Sequence, residues 1–464
     1  MKIKLNNTQR QAVEANEGPV LIFAGAGSGK TKVLTQKIHR LIEIEKFKSE
    51  NILSVTFTNK AAKEMKTRVM SLLNTEKLGI SIGTFHSICA RLIRNEAKNI
   101  GLNPQFAIYD VQDQLDLYKV VLKVLNISKD LIKPNQARSQ ISFLKNKMIT
   151  PEKQLKKART IFDKKLVDIY KLYQTMLREN DALDFDDLLL FPLQIFDEHP
   201  KILKKYQNRW KYILVDEYQD TNKPQFCFIS KIAENHKNIC VVGDDDQSIY
   251  GWRGADIANI LDFEKIFPSC KTFILEKNYR STQQILDAAT AVVSHNEKRA
   301  EKNLIANNGD GDPLVLIETK DELEEADAII SALEKEIKLH KRNFSHFSIL
   351  YRTNAQSRSL EESLRRTGIP YNLVGSVRFY DRKEVKDALG YLKLVINLSD
   401  TISLRRIINF PPRGIGMKTM DKCVVKSEED NISLFEVLKN SKQLAIRGKQ
   451  SESLITFYNL IKKY

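Results

Sequence analysis

An α/β fold built on a parallel sheet is predicted by three features of the sequence. Short apolar runs alternate with amphipathic segments through the first hundred residues, from "VLIFAGAG" and "TKVLTQKIHRLIEI" to "ILSVTFT" and "AAKEMKTRVMSLL". A glycine-rich turn, "AGAGSGKT" at 24–31, leads directly from the apolar strand "PVLIF" into a helix. Strand-like "YILVDE" and "NICVVGDDD" then return after a long helical stretch, so a helical insertion interrupts one α/β domain.

The elements justify themselves in order. Strand, helix, strand, helix at the start is the pattern of a parallel sheet covered on its faces. From about residue 110 to 200 strand signals vanish, and lysine-rich helical pattern takes over in "SQISFLKNKM" and "KKLVDIYKLYQTMLREN". A second α/β pattern begins near "KTFILEKNYR" and continues through "PLVLIET", "FSILYRT" and "IPYNLVGS". From about residue 380 the chain reads as helical to Tyr464.

Composition narrows the class. At 464 residues the chain exceeds one ordinary core, so several domains are expected. With 42% hydrophobic residues and a mean hydropathy of −0.36 it reads as globular rather than disordered. "MKIKLNNTQR" enters polar sequence without a signal-peptide core and no long apolar run follows, so a cytoplasmic protein is expected. Cys89, Cys227, Cys240, Cys270 and Cys423 are scattered, which speaks against a disulfide framework or zinc site. A net charge of +16 suits a polyanionic partner, although a lysine-rich proteome produces the same excess.

The glycine-rich turn carries the strongest chemical signal. Backbone N–H groups there can wrap phosphate oxygens at a positive helix end, with Lys30 reaching the terminal phosphates and Thr31 offering its hydroxyl to Mg²⁺. The pattern departs once, because Ala24 stands where its first glycine is expected. A metal partner is offered by "YILVDEYQD": Asp216 can hold Mg²⁺ through water, and Glu217 can orient and deprotonate an attacking water. Adjacent acids after a strand are otherwise ordinary turn residues.

The next strand ends in "VVGDDDQSIYGWRGAD", whose tip is expected to face the same phosphates. Gln247 is placed to bond the terminal phosphate or the attacking water, Tyr250 and Trp252 to stack on unpaired bases, and Arg253 to take a phosphate or stack. A buried tryptophan with a tyrosine cap is the plainer reading of those rings.

Taken together, these stretches resemble the UvrD/Rep/PcrA-type superfamily 1 DNA helicases, and the resemblance runs over essentially the whole chain in family order. "LNNTQRQAV" resembles the Q motif, which implies that Gln9 reads adenine. "AGAGSGKT" resembles motif I, implying a nucleotide cradle of Ala24, Gly25, Ala26, Gly27, Ser28, Gly29, Lys30 and Thr31. "VTFTNKAAKEM" and "GTFHSICARLIR" resemble motifs Ia and Ib, implying that Phe57, Asn59 and His86 line a single-strand path, and "DALDFDDLL" resembles the family stretch at the end of the helical insertion, implying that Phe185 lies near DNA. "ILVDEYQDTN" and the Gln247 loop resemble motifs II and III. "LEKNYRST" resembles motif IV, implying Tyr279 against adenine and Arg280 on the γ-phosphate. "FPPRGIG" resembles the opening of the outer helical subdomain, where Gly414 and Gly416 let backbone approach duplex phosphates.

The resemblance implies two RecA-like motor domains clamping ATP and Mg²⁺, each with a helical insertion, stepping 3′ to 5′ along single-stranded DNA in repair or replication. The implied division is 1–109 with 198–275 as the first motor domain, 110–197 as its helical insertion, 276–380 as an incomplete second motor domain and 381–464 as a partial helical subdomain. Counterparts of motifs V and VI are not found in the sequence, so weak unwinding by this chain is expected. A helicase-derived protein that binds ATP and DNA without catalysis is the alternative. An unrelated phosphate-loop kinase or GTPase would need an acceptor site or a guanine-reading motif, and the sequence offers neither. The expected partners are single-stranded DNA, its junctions with duplex, and repair or replication proteins, with no membrane.

Overall fold

Asn6 opens the first helix by a reciprocal cap. Its side chain accepts from the Gln9 N–H while Gln9 reaches back to the Asn6 N–H, starting α1 (Asn7–Glu14). The computed structural model describes residues 5–128, 130–374, 383–446 and 448–464, apart from the side chains of Arg253 and Met417. The opening alternation follows as β1 (Val20–Ala24), α2 (Lys30–Glu43), β2 (Ile52–Thr56), α3 (Asn59–Leu72), β3 (Ser81–Thr84) and α4 (Phe85–Glu96).

The insertion comprises β4 (Ala107–Tyr109), α5 (Val111–Val124), α6 (Pro134–Asn146), α7 (Pro151–Leu155), α8 (Ile161–Glu179), β5 (Ala182–Asp184), α9 (Asp187–Glu198) and α10 (Pro200–Arg209). Reciprocal caps at Asp110 and Thr160 start α5 and α8. One correction applies here. The stretch read as free of strands holds β5, which pairs in parallel with β4. Three-residue strands are too short to show a period of two, so the sequence carries no signal for them.

The chain then returns through β6 (Tyr212–Val215), α11 (Lys223–Ala233), β7 (Ile239–Gly243), α12 (Ala258–Leu261), α13 (Phe263–Ile266) and β8 (Lys271–Leu275). Among the described residues these strands form a sheet ordered β3-β2-β6-β7-β1-β8, with every pair parallel. Alternate residues point to opposite faces, and both faces are buried. Leu21, Phe23, Leu53, Val55, Ile213 and Val215 enter one core, while Val20, Ile22, Ile52, Tyr212 and Leu214 enter the other. That is why these strands read as continuous apolar runs. Because β6 and β7 lie between β2 and β1, the loops leaving the carboxyl ends of β1, β7 and β6 are neighbours, the usual place for a ligand in an open α/β sheet.

Beyond the sheet come β9 (Lys277–Asn278), α14 (Gln283–Val293), β10 (Ile305–Ala306), α15 (Glu322–His340), α16 (Ser357–Arg366), α17 (Lys383–Ile396), α18 (Thr401–Ile407), α19 (Met417–Asp430), α20 (Leu434–Lys439) and α21 (Gly448–Lys462). The chain divides into two compact units, Met1–Gly311 with Tyr391–Tyr464, and Asp312–Gly390. In the first, the late helices pack around Leu404, Ile407, Phe435, Leu438 and Phe457. They are tied to the insertion by a Tyr109 hydroxyl donating to Asp400 at 2.9 Å and by Asn397 donating to the Asn180 carbonyl at 3.0 Å. In the second unit, Ala326 and Ile330 of α15 and Leu360 and Leu364 of α16 are buried.

The strands expected in "PLVLIET", "FSILYRT" and "IPYNLVGS" do not form among the described residues, and Gly375 and Ser376 lie outside them. A strand needs a neighbour to pair its backbone groups. No such pairing is present here, and Val315, Leu316 and Leu350 are left 83%, 86% and 91% exposed. Apolar content alone suggested those strands.

Candidate nucleotide and strand-binding site

The glycine-rich turn sits between the end of β1 and the start of α2, at the sheet's carboxyl edge and a helix N-terminus. Gly27 and Gly29 take φ of 71° and 95°, left-handed values that a side chain disfavours. Space restricts them as well: a Cβ on Gly27 would lie 2.6 Å from Arg280 Cβ, and one on Gly29 would lie 2.9 Å from Gln9 Nε2. The buried Ser28 closes the turn by donating its hydroxyl to the Gly25 carbonyl at 2.7 Å. Ala24 is the last, fully buried residue of β1. A methyl there fits extended backbone and adds to the core, which explains the departure from glycine.

Gln9, which the resemblance places against adenine, lies behind the glycine-rich turn. It is completely buried, its Nε2 donates to the Ser28 carbonyl at 2.8 Å, and its Oε1 accepts the Asn6 N–H at 3.2 Å. Its amide braces the loop from behind. Asn6 donates to the Tyr279 hydroxyl at 2.9 Å. Lys32 and Lys277 approach the Tyr279 ring at 6.0 and 5.8 Å, so that ring offers a flat, cation-flanked face.

Lys30 points back to the acids after β6, with Nζ 3.6 Å from Glu217 Oε2. Glu217 sits at φ 50°, a left-handed conformation uncommon outside glycine and a form of strain that clusters at functional sites. Gln219 holds it, donating to Glu217 at 3.0 Å while accepting the Asp244 N–H at 2.9 Å. Burial pushes the Asp216 carboxyl up to about 7; the Glu217 charge adds to this and Lys30 opposes it. Burial, then the Glu217 charge, also raises Asp220 to about 6, and its Oδ1 is a buried oxygen without a hydrogen-bond partner. Asp220 joins the acid cluster although the sequence reading passed over it.

The acids of the next loop face a cation of the chain itself. Lys302 is buried and its Nζ lies 2.6 Å from Asp244 and 3.0 Å from Asp246, with Asp245 bonded as well. Burial opposes the ammonium charge, but the surrounding carboxylates outweigh it and raise the Lys302 pKa. Arg299 forks onto Asp246 at 3.1 and 3.0 Å, and the Ala300 N–H donates to Asp245 at 2.7 Å. Gln247 donates to Asp244 at 2.6 Å, so its amide is held within this loop. A run of consecutive aspartates was the available signal for a partner cation; nothing in "RAEKNLIANN" marks which lysine supplies it.

Asn278 is the other residue that sequence reasoning missed. It is fully buried, donates to the Ala26 carbonyl, and accepts the N–H groups of Arg280 and Ser281, each at 2.8 Å. The Tyr279 N–H donates to the Gly27 carbonyl at 3.0 Å. One short segment therefore carries Tyr279 and Arg280 riveted to the glycine-rich turn.

Aromatic rings gather beside the acid loop. The Phe57 and Tyr250 centroids are 4.8 Å apart, Trp252 stands 6.4 Å from Tyr250, and the Trp252 side chain is 75% exposed. Exposure excludes the reading of Trp252 as core. His86 and Phe185 meet edge-on at 5.6 Å, and burial lowers the His86 pKa to about 4, leaving the ring neutral at pH 7. Asn59 is exposed in the first turn of α3.

Comparison with known proteins accounts for this combination. Residues 5–268 match the family model described as UvrD/REP helicase N-terminal domain, and residues 273–459 match the UvrD-like helicase C-terminal domain. The chain belongs to the UvrD-like helicase family. It is 47% identical over 460 residues to the ATP-dependent DNA helicase PcrA of Staphylococcus epidermidis, a match covering 98% of this chain and 63% of that protein. The PcrA of Staphylococcus aureus is 45% identical, with 98% of this chain and 62% of that protein covered. The chain thus spans just under two thirds of the length of these relatives.

Within this UvrD-like chain, Gly414 takes φ 73° and both Gly414 and Gly416 are exposed with open space where a Cβ would stand. Arg413 is turned inward, donating to the Ile407 and Ile408 carbonyls at 3.1 Å and to the Tyr391 hydroxyl at 2.6 Å. The arginine therefore shapes the loop and the glycines present its backbone. The Arg253 side chain lies outside the described residues. No described helix is long and apolar enough to cross a membrane.

Proposed function

We propose that this chain is an ATP-dependent DNA translocase and helicase motor, working 3′ to 5′ on single-stranded and partly duplex DNA in repair or replication, in the cytoplasm at the nucleoid. The observation that supports it most is the rivet at Asn278, which holds Tyr279 and Arg280 against the same turn that presents Lys30. In this reading the adenine stacks on Tyr279, turn N–H groups and Lys30 take the phosphates, and Arg280 adds charge at the terminal phosphate. Glu217, strained and held by Gln219, orients and deprotonates the attacking water. Gln247 reports the phosphate's state to the loop bearing Tyr250 and Trp252, while Phe57, Asn59, His86, Phe185 and Arg253 track the single strand and Gly414 and Gly416 approach duplex backbone. The family's division into two motor domains, each with a helical insertion, belongs to the same proposal.

The site also fits Mg²⁺. Asp216 is a buried acid held near neutrality, Asp220 presents an unpartnered buried oxygen, and Thr31 offers a hydroxyl in the first turn of α2, a set of hard oxygen donors. Asp216 and Thr31 would hold it. Bound there, the dication supplies charge neutralisation to phosphate oxygens.

ATP hydrolysis measured with and without single-stranded DNA, beside Lys30→Ala, tests the reading. Stimulation by DNA that falls at least about a hundredfold in the variant is expected. ATP and DNA binding without stimulation would favour the non-catalytic alternative.

A further inference from the structure

We propose that residues 299–308 form a strap joining the aromatic loop to the nucleotide turn, and that Lys302 is the positioning residue on which this coupling depends. The inference rests on the proposed ATP- and strand-binding function and names a route within it.

The strap is traced by contacts at each step. At one end Lys302 is buried among Asp244, Asp245 and Asp246, and Arg299 and the Ala300 N–H add two further attachments to the same acids. Those acids open the loop whose far side carries Tyr250 and Trp252. Two residues on, Leu304 covers the nucleotide turn so closely that a Cβ on Gly25 would lie 2.5 Å from its methyl. The strap then pairs in parallel with the segment holding the rivet, Ile305 opposite Lys277 and Ala306 opposite Asn278. The Asn307 N–H donates to the Asn278 carbonyl at 2.8 Å, and Asn308 reaches the Tyr279 carbonyl at 3.4 Å.

Moving the acid loop therefore moves the cover of the turn and the strand that positions Arg280. The anchor is electrostatic and buried, where a lost partner costs most and a shift is transmitted rather than absorbed. This route is distinct from the Gln247 amide, which bonds Asp244 from within the loop.

The chain has two tryptophans, and Trp210 is buried, so Trp252 reports on the loop. The test is tryptophan emission on addition of ATP with Mg²⁺, with a Trp252→Phe control and ATP binding measured separately by calorimetry. The unmodified chain is expected to show a shift that disappears in the control. Lys302→Met is expected to bind ATP and lose the shift, and Lys302→Arg to regain it. Because Lys302→Met leaves buried carboxylates uncompensated, Arg299→Ala serves as the milder variant if it does not fold, with the shift reduced. ATP binding without a shift in the unmodified chain overturns the proposal, as does a full shift in Lys302→Met or, failing that variant, in Arg299→Ala. Absence of ATP binding in the unmodified chain sinks the proposed function, and the strap with it.

Discussion

Asp216 makes a prediction at the scale of one residue. Its folded pKa, about 7, lies above the ordinary carboxyl value, so its contribution to stability is fully present below that ordinary value and is lost as pH rises through about 7. Asp216→Asn removes the charge and keeps an oxygen for the Glu217 N–H. The variant's unfolding free energy relative to the unmodified chain, followed by thermal melts, should therefore climb between about pH 4 and pH 7, by about 1.4 kcal/mol per pH unit. A difference independent of pH contradicts this. At Asn278 the loss is catalytic as well as structural. Asn278→Ala removes the acceptor of two half-buried N–H groups, costing about 1 kcal/mol, and frees Arg280 from its setting. Turnover should fall by up to about a hundredfold, the scale of an ångström-level displacement at a reacting centre. Unchanged kcat in a folded Asn278→Ala chain would remove its positioning role.

At the scale of elements, the loop after β7 and the starts of α3 and α4 present rings with different exposure and charge. Trp252→Ala should weaken single-strand binding by about 1–3 kcal/mol, as loss of one stacked base does. His86 is neutral at pH 7, so His86→Ala should lower affinity without changing the slope of log affinity against log salt. A shallower slope in His86→Ala, measured by fluorescence anisotropy, would show a charged contact instead. What the sequence made legible at this scale follows from burial. Strands β1, β2, β6 and β7 are covered on both faces and so wrote themselves as apolar runs. Strands β4 and β5 are too short to leave a period, and "PLVLIET" had the apolar content of a strand without a neighbour to pair it. Lys30 was readable because a glycine-rich turn leads from a strand into its helix, and Asp216 and Glu217 because they follow directly from a strand. Lys302 and Asn278 were not, because their meaning lies in contacts distant in sequence, Lys302 with Asp244 and Asn278 with Ala26.

On the scale of the whole molecule, a +16 chain places the turn, the acids, the rivet and the ring surface in one compact unit. Shared elements of this kind imply that occupancy of one site changes affinity at the other, and by reciprocity the reverse. The most direct measurement is the ATP affinity of Glu217→Gln, chosen to slow hydrolysis, by calorimetry with and without a saturating single-stranded oligonucleotide. A several-fold change in ATP affinity, matched by the same factor in DNA affinity when ATP is saturating, is the predicted result. Equal ATP affinity in the two titrations, with both ligands bound, would contradict the coupled motor.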